Sequence, residues 1–114
     1  MNESRRNISL FLEKFKRNAK ISNGIKFRER KERKIVLEYY HYTDKNLEEI
    51  IMDLVPGQCT ENPKRDKKGK GIVCVFQKWE SYPQREIYIR LIIPSDDSQK
   101  WAICQSFKFT EFPS

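Results

Sequence analysis

The chain has 114 residues, 38% of them hydrophobic and 12% aromatic, and a formal net charge of +7. That amounts to one compact domain spanning 1–114, with enough apolar side chains for a modest core; it excludes a disordered chain and leaves no room for a second domain. No run approaches the roughly 20 apolar residues of a membrane span, and residues 1–7 lead into no secretory h-region, so a soluble cytoplasmic protein with no membrane partner is expected.

The charge is unevenly placed. Residues 1–70 carry 18 basic and 11 acidic side chains, whereas 71–114 carry 5 of each. Such asymmetry favours a polyanionic partner, nucleic acid first, then an acidic protein or membrane surface; the alternative is that the charge serves solubility alone.

In chain order, Ile8, Leu10, Phe11, Leu12, Phe15 and Ala19 recur at mostly helical spacing, which predicts a helix over 8–20 capped by Asn7 and stopped by Ser22, Asn23 and Gly24. Residues 25–27 read as a short strand or an extended link. A basic run follows, from Lys26 through Arg28, Arg30, Lys31 and Arg33 to Lys34. A second helix is expected over 32–40 around Ile35, Val36 and Tyr39. A third follows an N-cap at Thr43, with Asp44 at its positive end and Leu47, Ile50, Ile51 and Leu54 as its apolar stripe. Pro56 and Gly57 close it, and 57–71 reads as a polar loop.

The pattern then changes to period two. Strands are expected over 72–79, 86–93 and 100–109, joined by turns at 81–84 and 94–98, which makes an antiparallel meander. Helices precede sheet, so the class is α+β, with N-terminal helices packed on an antiparallel sheet of at least three C-terminal strands.

On the second of these strands Ile87, Ile89, Leu91 and Ile93 point one way, and Tyr88, Arg90 and Ile92 the other. On the third, alternation puts Trp101, Ile103, Phe107 and Phe109 on one side, and Ala102, Cys104, Ser106 and Lys108 on the other. Tyr88, Arg90 and Lys108 can then share one face. That trio suits RNA cleavage without a metal: a 2′-hydroxyl attacks the adjacent phosphate, Arg and Lys stabilise the growing negative charge, and Tyr or Lys moves a proton. The structural alternative is an amphipathic tyrosine beside two solvated cations.

At these strands a family likeness emerges. "REIYIRL" at 85–91 is similar to an E-V-Y-I-K-L strand, "AICQSFKFTEFP" at 102–113 to a last strand with a recurrent S-F-[KH], and "VCVFQKW" at 73–79 to a W-V-F-G-K strand. "TENPKRD" at 60–66 is similar to a G-P-x-x-D loop, and 7–32 to an opening helix and its sequel. Together these resemble the motility quorum-sensing regulator (MqsR-like) toxins of the RelE-type ribonuclease superfamily, over roughly 7–113. The resemblance implies a RelE-like fold with a curved sheet. It implies a toxin of a type II toxin–antitoxin system: an mRNA interferase, hence a hydrolase, that blocks translation and is held inactive by a cognate antitoxin. Tyr88 matches the family's strand tyrosine, Arg90 stands where Lys is usual, and Lys108 matches the basic position after Ser-Phe. Gln77 departs from a frequent Gly, so an intact catalytic set and a degenerate, inactive one both stay open.

Beyond the trio, Arg28, Arg30, Lys64, Arg65, Gln77 and Lys78 are candidate RNA contacts, drawn from the two basic segments 26–34 and 64–70 and from the first strand. Tyr39, Tyr40, Tyr42 and Trp79 offer stacking surfaces, one or more of them core instead. The lone His41 excludes two-histidine ribonuclease chemistry and suits a helix end. His41, Cys59, Cys74 and Cys104 lack zinc-ligand spacing, so no metal and no cofactor are expected, and the cysteines read as small core hydrophobes. "KKGKG" at 67–71 is not a phosphate-binding loop of the P-loop kind. Asp96 and Asp97 have no evident carboxylate partner. Two rivals remain on the same scaffold: a non-catalytic RNA- or ribosome-binding module, and a phage-type inhibitor that binds a protein through the basic face.

Overall fold

A computed structural model describes residues 3–81, 83–96, 98 and 100–111. Asp97, Phe112 and Pro113, used in the sequence reading, lie outside them. Three helices, α1 (Glu3–Ile21), α2 (Lys31–Tyr40) and α3 (Asp44–Met52), precede most of the sheet. The strands are β1 (Lys26–Phe27), β2 (Cys59–Arg65), β3 (Gly71–Glu80), β4 (Arg85–Pro94) and β5 (Ile103–Phe109), in the spatial order β1-β5-β4-β3-β2. β3, β4 and β5 form the expected antiparallel meander. β1 adds a parallel edge on β5 and β2 an antiparallel edge on β3, so the sheet is mixed and open.

α1 begins at Glu3, and Asn7 lies inside it rather than capping it. Glu3 sits in the first turn, where a carboxylate complements the helix dipole. Ile8, Phe11, Leu12, Phe15 and Ala19 are buried, whereas Leu10 falls off that stripe and is exposed. Asn23 and Gly24 stop the helix with positive φ values of 62° and 134°. In α2 the buried positions are Arg33 and Val36; Ile35 and Tyr39 stay partly in solvent. His41 ends α2 in the left-handed conformation. Thr43 starts α3, its N–H donating to Asn46 Oδ1 at 2.8 Å, and Leu47 and Ile51 are fully buried.

The segment expected as a loop over 57–71 contains strand β2, Cys59–Arg65. A strand at the sheet's edge has only one neighbour and no continuous buried face, so it lacks the hydrophobic alternation that marks a strand in sequence. Two register shifts and Pro63 interrupt its pairing, devices that blunt exposed edges. The actual turn is 66–70, where Asp66 N–H donates to Gly71 O at 2.8 Å and Gly69 N–H to Asp66 O at 2.9 Å.

One face of the sheet carries the main core. Ile87, Ile89, Leu91 and Ile93 of β4, Cys74 and Phe76 of β3, and Cys104, Phe107 and Phe109 of β5 pack there with α1, Val36, Leu47, Ile51 and Leu54. Simple alternation misplaces half of β5. Arg90 pairs with Ser106 but Leu91 with Cys104, so β5 has one extra residue, Gln105. A bulge of this kind reverses which residues face which side. Ala102 and Cys104 therefore join the core, and Ile103 moves to the outer face with Ser106 and Lys108.

Gly71 opens β3 at φ +155°, and a Cβ there would lie 2.1 Å from the Ile93 carbonyl oxygen. Gly71→Ala is expected to lower stability by about 2–3 kcal/mol through backbone strain and that clash. Gly57→Ala meets nothing within 4 Å and is expected to leave the urea midpoint unchanged.

Candidate functional site

The outer face is a small grid set by register. Val75, Arg90 and Ser106 form one row across β3, β4 and β5, and Gln77, Tyr88 and Lys108 form the next. Trp79 lies opposite Glu86 in the row beyond. The Lys108 ammonium sits 5.1 Å from the centre of the Tyr88 ring, a cation–π geometry that holds a positive charge over the phenol. The sheet thus brings Tyr88, Arg90 and Lys108 together, with Gln77 beside Tyr88.

Arg90 is held from two sides. Its Nε donates to Gln105 Oε1 at 2.6 Å, and its Nη2 lies 3.7 Å from Asp66 Oδ1. A guanidinium has five N–H donors in a rigid fork, so this anchoring leaves donors for an incoming anion. The bulge that reverses β5 also supplies the anchor, because Gln105 is the inserted residue. Asp66 belongs to the β2–β3 turn, so the turn must fold across β3 to reach β4. Val73, Val75 and Ile92, all on the outer face, are buried. Burying each is worth about 1.5–3 kcal/mol; the Asp66 carboxylate beside Arg90 is itself largely buried, its side chain 8% exposed.

Above Arg90 lies a cavity of about 350 Å³ lined by Arg28, Arg30, Asp66, Lys67, Lys68, Lys70, Arg90, Gln105 and Ser106. Six cations and one carboxylate converge there, with the Gln105 amide and the Ser106 hydroxyl. Arg30 also borders the adjoining cleft beside Ser106 and Lys108. The two basic segments, far apart in sequence, meet here: Arg28 and Arg30 from beyond β1, and the lysines of the turn from beyond β3. Such a site suits a phosphate-bearing polyanion.

Three expected contacts fall elsewhere. Lys64 is 3.0 Å from Glu61 on the β2 edge. Arg65 borders a separate groove with Gly69, Gly71, Ile72 and Ser95; the chain turns after Arg65, so the lysines that follow it, not Lys64 and Arg65, enter the cavity. Lys78 pairs in register with Ile87 and so faces the helix side, where its ammonium is 3.4 Å from Glu80 Oε1. Tyr42 donates to Glu80 Oε2 at 2.7 Å and Tyr40 to Pro83 O at 2.6 Å, and the two rings stack with centroids 5.2 Å apart. These tyrosines build the helix–sheet junction. Arg33 is likewise structural: it is buried, ion-paired to Glu29 and Asp44, with its guanidinium 5.3 Å from the Phe27 ring centre.

The cysteines form no disulfide. Cys59 and Cys74 bring their sulfurs within 3.6 Å, and burial raises the thiol pKa of all three, which leaves them poor nucleophiles. A second groove, about 540 Å³, is lined mainly by the apolar Leu10, Phe11, Pro63, Ile72, Ile93 and Pro94, with Asn7, Lys14 and Ser95 at its border. Among the described residues, no helix is long and apolar enough to cross a membrane.

Sequence reasoning missed Asp66 and Gln105. Asp66 enters only as the last residue of the TENPKRD likeness and Gln105 carries no signal of its own, since one acts through a turn and the other through a bulge. No protein-family model, curated protein or solved structure matches the chain.

Burial and the Glu80 carboxylate push the Tyr42 phenol up to about 12 from an ordinary 10.0. The folded chain keeps that proton where the unfolded chain has lost it, so Tyr42 stabilises the fold below pH 10 and this contribution is lost as pH rises from about 10 to 12. Urea midpoints measured across that window are expected to fall less steeply in Tyr42→Phe than in the wild type.

Proposed function

We propose that this chain is a metal-independent endoribonuclease that cuts mRNA, a toxin of the MqsR-like kind on a RelE-like scaffold, acting in the cytoplasm and restrained by a cognate antitoxin. The observation that supports this reading is the row Gln77–Tyr88–Lys108 beside Arg90, open next to a cavity lined by six cations. The likeness of the strands at 73–79, 85–91 and 102–113 to those toxins supports the same reading.

Each group has a role in the chemistry. Arg28, Arg30 and the turn lysines bind the RNA backbone and set one phosphate over Arg90. The 2′-oxygen of the preceding ribose attacks phosphorus as its proton leaves. The bond to the 5′-oxygen breaks, and that oxygen takes up a proton. Tyr88 and Lys108 carry the two proton transfers. Arg90, pre-aimed by Gln105, meets the negative charge that develops on the phosphoryl oxygens; preset donors act most strongly on charge that appears only in the transition state. The products are a 2′,3′-cyclic phosphate and a 5′-hydroxyl.

RNA cleavage in excess EDTA, on free transcripts and on translating ribosomes, tests this. Cyclic phosphate ends are expected. Tyr88→Phe and Lys108→Ala are each expected to slow cutting by about 10²–10⁴-fold, the range of general acid–base catalysis. Arg90→Ala is expected to cost about 10²–10³-fold, as for loss of one charge-stabilising donor. Salt-sensitive RNA binding without cutting on either substrate would favour a binding module instead, and tight binding to an acidic protein with indifference to RNA would favour an inhibitor.

Asp66 opposes the substrate in this scheme, because its carboxylate already occupies Arg90. Asp66→Asn is expected to tighten binding of a 2′-O-methyl RNA by about tenfold at low salt, as the charge removed lies within a few ångströms of the bound phosphate. Fluorescence anisotropy of labelled RNA measures it.

A further inference from the structure

Trp79 is 60% exposed, the most exposed large apolar side chain among the described residues. It extends the outer-face grid beyond Tyr88. Trp79 follows Gln77 by two positions on β3, so the two side chains stand on the same face about 7 Å apart. Gln77 pairs with Tyr88 and Trp79 with Glu86, which sets Trp79 diagonal to Tyr88, within about 7–8 Å. The chain's other tryptophan is engaged, with the Lys26 ammonium 3.5 Å from the centre of the Trp101 ring. Trp79 has no such partner among the described residues.

The charge along this face changes with position. Cations surround Arg90, Lys108 stands over Tyr88, and at Trp79 the cross-strand neighbour is the acid Glu86. A carboxylate beside the ring disfavours a phosphate there and leaves the ring to a neutral flat group. The amide of Gln77, between Trp79 and Tyr88, supplies a donor and an acceptor that can reach the edge of such a group.

We infer that Trp79 is a stacking subsite for an unpaired nucleobase of the RNA strand whose phosphate lies over Arg90. This rests on the RNA reading above and deepens it. The substrate is single-stranded at that nucleotide, because a base in a duplex keeps its faces stacked on its neighbours and offers none to a protein ring. Trp79 is a binding residue here, outside the reacting atoms.

The test measures binding of two ligands to the full chain: a short unstructured RNA with 2′-O-methyl riboses, which cannot be cut, and inorganic polyphosphate, which has charge and no bases. Trp79→Ala is expected to weaken RNA binding about tenfold or more, the scale of one stacked base, and to leave polyphosphate binding and the salt dependence unchanged. Trp79→Phe is expected to restore most of the RNA affinity. If Trp79→Ala binds the RNA as tightly as the wild type, the subsite is refuted and the RNA reading stands. If it loses RNA and polyphosphate alike, Trp79 is structural and the subsite is again refuted. If the wild type binds polyphosphate but no RNA, the RNA reading falls and the subsite with it.

Discussion

One inserted residue in the last strand governs the outer face. Were Gln105 held in regular alternation instead of a bulge, either Cys104 or Phe107, three positions apart, would leave the core. Phe107 and Phe109 on one side and Cys104 and Ala102 on the other are all buried, which this sequence achieves only if the strand bulges between them. The bulge meets that demand and, by the same step, sets Ser106 beside Arg90 and Lys108 beside Tyr88. The inserted side chain then fixes Arg90 through a 2.6 Å hydrogen bond. Core packing and site geometry are thus two consequences of one irregularity.

The basic residues divide by what they touch. Within 26–34, Arg33 is buried in ion pairs between α2, α3 and the preceding segment, Lys26 covers Trp101, and Arg28 and Arg30 reach the cavity over β4. The turn after β2 adds three lysines to the same place. Part of the outer face is dry, where Val73, Val75 and Ile92 are buried. The other part, from Tyr88 to Trp79, is open. A face that is cationic at one end and aromatic at the other matches the two parts of a nucleotide, which is the physical basis of the proposed role in RNA cleavage.

Where burial imposes a period, the residues announce the element. The α3 stripe Leu47 and Ile51, continued by Leu54 just past the helix end, and the alternation of β4 follow directly from it, as does the shared face of Tyr88 and Arg90; the Thr43 cap and the Asn23–Gly24 stop are legible from residue type. Elements not buried on a full face are silent. β2 lies at an edge with Pro63 in it and carries no alternation. α1 starts in polar residues that no apolar spacing marks. The placement of Lys108 emerges correctly from simple alternation only because the bulge precedes it; for Cys104, ahead of the bulge, the same reasoning fails. Lys64 and Arg65 look as available as Lys67 and Lys68 in a list of charges, and only the path of the turn separates them. Asp66 and Gln105 act through partners distant in sequence, so composition and spacing hold no trace of them.

The proposed RNA-binding surface is the outer sheet face beside the β2–β3 turn. Backbone amide NMR shifts during titration with a 2′-O-methyl RNA test it most directly. The predicted result is a set of perturbed amides confined to Arg28–Arg30, Asp66–Lys70, Gln77, Trp79, Tyr88–Arg90 and Gln105–Lys108, with the Leu10–Ile72 groove and the Tyr42–Glu80 junction unchanged. Perturbations centred on that groove, or none at RNA concentrations well above those of the protein, would contradict it.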